Sequence, residues 1–126
     1  MIGDRGAQNL SIILAEDTSP PLVSLDLSGN DLSDDGASLI VQELTTSLTN
    51  LDLSRNGISG VETCSTLARS PCSLSLATLS LSVNPMREAG AEAIADSMKE
   101  LHLLQVLSLA SCWLGDEGWS PMLVPP

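Results

Sequence analysis

Apolar positions along the chain fall into one pattern that returns four times. Leucines at positions 22, 25 and 27 are followed by Asn30 and Leu32. Leu48, Leu51, Leu53, Asn56 and Ile58 repeat the arrangement, as do Leu76, Leu79, Leu81, Asn84 and Met86, and then Leu104, Leu107, Leu109, Cys112 and Leu114. The middle leucines stand at 25, 51, 79 and 107, so the period is 26, 28 and 28 residues. A constant period of this size marks a stack of like supersecondary units. Within each unit, Leu-x-Leu reads as a short strand whose two leucines share one face while the residue between them takes the other.

A helical segment is predicted after each strand. Leu32, Gly36, Ala37, Ile40 and Leu44 fall at helical spacing, and Met86, Gly90, Ala91, Ile94 and Met98 repeat the same offsets. Ser33 is placed to cap the first of these helices, with Asp34 and Asp35 near its positive end. The small Gly-Ala pair should let the helix approach the strand layer closely. In the intervening unit Gly60-Val61 lies two residues early, so its helix is expected near Val61 to Ala68, with Cys64 and Leu67 turned inward. Ile2, Gly6, Ala7, Leu10 and Leu14 match the first helix at a constant offset of 30, so the chain opens inside a helix.

The asparagine after each strand has a structural reading. Its amide can donate to and accept from backbone groups that a tight turn leaves unpaired, and stacked copies at Asn30, Asn56 and Asn84 form a ladder, with Cys112 in the last place. The segment 15–21 reads as a loop between units, because the register resumes at Leu22. Neither end offers a recognisable cap, which a solenoid normally needs. The expectation is one domain over residues 1–126 that starts and ends within repeats: a fragment of a longer solenoid, a truncated product, or a chain whose uncapped ends are covered by self-association or another subunit. Trp119 is expected to cover the open end of the core and Trp113 to lie in a loop.

Composition narrows the function. The chain of 126 residues has 5 Lys and Arg against 16 Asp and Glu, for a net charge of -11. So acidic a chain can neutralise few phosphates, which argues against nucleic acid, and it has no basic cluster for an anionic membrane. No apolar run approaches the length of a membrane span, and residues 1–4 do not open a signal peptide. Cys64, Cys72 and Cys112 are odd in number and lack a Cys-x-x-Cys pair, which suits a reducing, cytoplasmic compartment better than a secreted scaffold. The single histidine, His102, has no nucleophile motif around it; no metal-ligand spacing and no phosphate or cofactor loop is present. An enzyme is not expected, nor a metal or cofactor.

The strand motifs, together with Gly36-Ala37, Gly90-Ala91 and the acidic turns 33–35 and 115–117, resemble the ribonuclease-inhibitor-like class of leucine-rich repeat proteins, from Ile2 to about Gly118. That class also includes Ran GTPase-activating proteins, the sensor regions of NOD-like receptors and tropomodulin-type actin regulators. The resemblance implies an α/β horseshoe arc of about four strand-helix repeats, with parallel strands on the concave face and helices on the convex face. Partner proteins would be held by the concave face and adjoining loops.

Alternation then names the candidate binding residues: Ser24, Asp26 and Ser28; Asn50, Asp52 and Ser54; Thr78, Ser80 and Ser82; Val106, Ser108 and Ala110, with Arg55 and Val83 just beyond. Asp26 and Asp52 would stack on neighbouring strands as an acidic spot suited to a partner with a basic surface. The other reading is a solvated strand face in little use, since it lacks the Trp and Tyr that usually anchor interfaces. Fold analogy alone adds a regulator of a small GTPase, and a purely structural segment of a longer solenoid is the third possibility.

Overall fold

Each Leu-x-Leu motif forms a three-residue strand, and the strands stack in chain order into one sheet. The computed structural model describes residues 1–16, 21–112 and 122–123. The elements are α1 (Gly3–Leu14), β1 (Ser24–Asp26), α2 (Asp34–Val41), β2 (Asn50–Asp52), α3 (Val61–Arg69), a 3-10 turn (Pro71–Leu74), β3 (Thr78–Ser80), α4 (Arg87–Ser97), β4 (Val106–Ser108) and β5 (Met122–Leu123). Strands β1 to β4 are parallel, with Leu25, Leu51, Leu79 and Leu107 in register. Helices α1 to α4 pack in the same order, each against the next. The fold is an α/β solenoid of strand-helix repeats.

The core lies between the two layers. Leu51, Leu53, Leu79, Leu81 and Leu107 of the strand motifs are buried against Ala37, Ile40, Cys64, Leu67 and Ile94 of the helices. Burying one leucine is worth roughly 1.5–3 kcal/mol, and the repeat places two per strand. The helix of the second repeat begins at Val61 and buries Thr63, Cys64 and Leu67. Among the described residues, no helix is long and apolar enough to cross a membrane.

Three details differ from the sequence-based expectation. Ser33 occupies the N-cap position of α2 but makes no side-chain cap bond. Its hydroxyl donates instead to Asp4 of α1, whose Oδ1 also accepts the Ser33 N–H at 2.9 Å. The small residues Gly36 and Gly90 serve contact with the preceding repeat rather than with the strands. A Cβ on Gly36 would stand 2.2 Å from an Asp4 carboxylate oxygen, and one on Gly90 would stand 2.5 Å from the Ser59 carbonyl oxygen. The C-terminal edge of the sheet is also not bare: β5 pairs antiparallel with β4, Val106 opposite Leu123 and Leu107 opposite Met122. Trp113 and Trp119 lie outside the described residues.

Candidate interaction surface

The sheet register assembles the predicted face into two rows. Ser24, Asn50, Thr78 and Val106 stand side by side across the four parallel strands, and Asp26, Asp52, Ser80 and Ser108 form the second row. Ser24, Asp26 and Asn50 are exposed, whereas Asp52, Thr78, Ser80, Val106 and Ser108 are half-buried. The openness of the face therefore falls from the first repeat to the third. Its carboxylates occupy the open end.

Both carboxylates are steadied by their own loops. Asp26 Oδ1 accepts the Ser28 N–H at 2.9 Å, and Asp52 Oδ1 accepts the Ser54 N–H at 2.9 Å and the Ser54 hydroxyl at 2.6 Å. Hydrogen bonds from the Ser28 hydroxyl and N–H hold the Asp26 carboxyl below its ordinary range, so it is charged at neutral pH. Ser28 and Ser54 thus serve to orient the aspartates. Ser82 is also engaged within the fold, its Oγ accepting the Ala110 N–H at 3.2 Å.

The loop after each strand turns through the left-handed region at the same place. Gly29, Arg55, Val83 and Ser111 have φ of 65°, 58°, 57° and 58°. Arg55 and Val83 are exposed there, beside the strand rows. Glycine adopts this geometry without strain, and a β-branched residue such as Val83 does so least readily. The sequence carried one hint of it, the glycine at position 29.

Next to these loops the asparagines face inward. Asn56 Nδ2 donates to the carbonyls of Leu27, Leu53 and Ser54 at 3.0–3.1 Å, while its Oδ1 accepts the N–H groups of Asn30 and Leu32 at 2.9 and 3.0 Å. Asn84 repeats this one turn on, donating to Leu53, Leu81 and Ser82 and accepting from Asn56 and Ile58. Asn30 donates to the Ser28 carbonyl and accepts the Ile2 N–H. Cys112 Sγ donates to the Leu81 and Ala110 carbonyls, the places an amide would take. These four residues join repeats and present no chemistry to a partner.

A second set of inter-repeat bonds lies at the helix starts, and the sequence did not announce it. Asp34, in the first turn of α2, accepts from the N–H groups of Ser59, Gly60 and Thr63 and from the Ser59 and Thr63 hydroxyls. It thereby caps α3, as Asp4 of α1 serves the start of α2. Burial of Asp34 raises its pKa, but the hydrogen bonds from Ser59 and Thr63 outweigh it and leave the carboxyl below 3.8. The Ser33 hydroxyl and N–H likewise lower Asp4. Serine hydroxyls make further links: Ser47 donates to Leu22, Ser70 to Val41 and Ser75 to Leu48, each across one repeat.

The described thiols are free and buried. Burial, with the charge of Asp34 nearby, pushes the Cys64 thiol up to about 12, and burial raises Cys72 and Cys112 as well. None of the three is poised as a nucleophile. Among the described residues, no group of three or more His, Cys, Asp or Glu could hold a metal ion.

Two family models match the chain. One, described as "Leucine Rich repeat", matches residues 18–41 and 99–122. The other, "Leucine Rich Repeat", matches residues 47–67. No curated protein matches the chain. Domains of this kind generally mediate protein–protein interaction and are typically not enzymes. With the matches spread over the first, second and fourth strand motifs, and the sheet in register through all four, the chain belongs to the leucine-rich repeat family.

Proposed function

We propose that the chain is a non-enzymatic interaction module that holds a partner protein on its concave strand face and the adjoining loops. The observation that carries this reading is the pairing of Asp26 with Asp52 in register at the exposed end of that face. Two carboxylates on neighbouring strands, steadied by Ser28 and Ser54, make a preformed acidic spot that favours a basic protein surface. Ser24 and Asn50 beside them supply hydrogen-bonding groups, and Arg55 stands in the adjoining loop. The helix that follows each of the first three strands, with the 26- and 28-residue spacing, supports the ribonuclease-inhibitor-like subclass. Three free buried cysteines support a reducing, cytoplasmic setting.

The test is capture from cells of origin by the chain carrying Asp26→Arg with Asp52→Arg, quantified against the parent chain. Glu88→Arg with Glu92→Arg, on the exposed side of α4, changes net charge equally and serves as the control. The account expects a set of basic proteins to fall about tenfold with the strand-face pair and to survive the control. Their capture should also weaken as salt rises from about 0.1 M to about 0.5 M. Equal loss with both pairs would reduce the effect to net charge, and no loss with either would move the site off the concave face.

A further inference from the structure

Asn56 is followed by Gly57, whereas the other asparagines of the inward row, Asn30 and Asn84, are followed by Asp31 and Pro85. The difference bears on the chemistry of the side-chain amide. A backbone nitrogen can attack the Cγ of the asparagine before it and close a five-membered ring. Pro85 has no N–H to give up, so Asn84 is barred from this route. The side chain of Asp31 crowds the approach to Asn30, and Gly57 has none to crowd the approach to Asn56. Gly57 is also exposed to water.

The fold keeps the two reactants apart. The Gly57 N–H donates to the Leu32 carbonyl at 2.7 Å, so the proton that must leave is held by the preceding repeat. The Asn56 amide is tied at both ends, Nδ2 to the carbonyls of Leu27, Leu53 and Ser54 and Oδ1 to the N–H groups of Asn30 and Leu32. Its Cγ can swing onto the Gly57 nitrogen only when these bonds break. Leu27, Asn30 and Leu32 belong to the first repeat, so ring closure requires the first and second repeats to part.

We propose that Asn56-Gly57 is a deamidation site, latent in the folded solenoid and released when the repeats separate, which turns a transient unfolding into a permanent one. The Gly57 nitrogen bonds to Cγ and gives up its proton, the Cγ–Nδ2 bond breaks, and Nδ2 leaves as ammonia. Water then opens the ring at either carbonyl and leaves aspartate or isoaspartate. Neither product fits the row. An aspartate carboxylate has no hydrogen for the Leu27, Leu53 and Ser54 carbonyls and turns charge toward them. Isoaspartate lengthens the main chain by one carbon, beside the N–H that must reach Asn84 Oδ1. The proposal is independent of the concave-face reading.

The test holds the full chain at mildly alkaline pH, in buffer and in denaturing urea. The mass gain of an amide-to-acid exchange is followed at each asparagine, on peptides cut at acid pH. In urea, Asn56 should convert first. Gly57→Ala should slow it about tenfold there by crowding the attack. A Cβ at this position would stand 3.4 Å from the Leu32 carbonyl oxygen, an ordinary contact, so the variant folds. In buffer, Asn56 of the parent should convert at least about a thousandfold more slowly than in urea, because only the opened fraction reacts. Asn56→Asp, made directly as the product, should have a folding equilibrium constant about a hundredfold below the parent's. Four results would each overturn the proposal: conversion in buffer as fast as in urea, another asparagine reacting first in urea, indifference to Gly57→Ala, or an Asn56→Asp chain as stable as the parent.

Discussion

Asp52 and Asn56 are four residues apart in one loop-bound stretch, yet they belong to regions that use polarity in opposite ways. Asn56 turns inward and makes five hydrogen bonds, three of them to groups of the neighbouring repeat. Asp52 stands on the strand face, and its carboxylate bonds Ser54 two residues on. The asparagine row substitutes for the backbone partners that a turn must give up on leaving the sheet, and it joins one repeat to the next. The strand face makes no such link through its side chains at Asp26 and Asp52, and its carboxylates stay available. Similar small polar residues therefore divide into a structural set and a presented set, and the direction of the side chain decides which.

Removing a member of the structural set should have the largest effect. Asn84 is 2% exposed, and Asn84→Ala would orphan the N–H groups of Asn56 and Ile58 and take one donor each from the carbonyls of Leu53 and Leu81, which keep Asn56 and Cys112. Urea unfolding should show a loss of about 3 kcal/mol or more, while Asp26→Ala on the strand face should change stability by no more than about 0.5 kcal/mol. Similar losses from the two would erase the distinction.

Asp34→Asn should come next, at about 1–2 kcal/mol, because it weakens the cap of α3. This residue also gives the fold an acid limit. The carboxyls of Asp4 and Asp34 titrate below their ordinary 3.8 in the folded chain. Stability that depends on their charge is therefore complete above that value and is lost as pH falls through the lower folded-state values. Unfolding followed from pH 7 to pH 2 should slope less steeply in Asp34→Asn than in the parent; equal slopes would remove Asp34 as a source.

The smallest expected effect is a gain. Val83 holds φ at 57° with its side chain 48% exposed, so little packing is at stake. Relief of left-handed strain is worth roughly 1–2 kcal/mol, against roughly 0.5–1 kcal/mol for the freedom glycine adds to the unfolded chain. Val83→Gly should raise the thermal midpoint slightly, by about 0.5–1 kcal/mol of stability. A lowered midpoint would mean that Val83 contributes packing that outweighs its strain.

The strands, the helices and the asparagine row could be read from the sequence because each depends on residues close together in the chain and repeated at a fixed period. Leu51 and Leu53 declare a strand by alternation, and Asn56 declares a turn by its distance from them. The bonds from Asp34 to Ser59 and Thr63 could not be read in that way. They join residues 25 and 29 apart that meet only once the repeats are stacked, and Ser33 looked like a cap for its own helix. The same limit hid Ser47, Ser70 and Ser75, whose hydroxyls cross one repeat. Strand β5 had no motif of its own, since it borrows its partner from β4. For the strand face, alternation correctly gave the rows, but not that Ser28 and Ser54 would be turned to their own aspartates.

Native-state amide hydrogen exchange tests the division of polar groups most directly. The N–H groups of Leu32, Asn56 and Ile58 donate to asparagine Oδ1 atoms of the row, and those of Ser28 and Ser54 donate to Asp26 and Asp52 on the strand face. The first set should exchange only through global unfolding, with opening free energies equal to the stability from urea. The second set should exchange through local opening, faster by at least about a hundredfold. Equal protection in the two sets would contradict the account, because the strand-face aspartates would then be held as tightly as the groups that join the repeats.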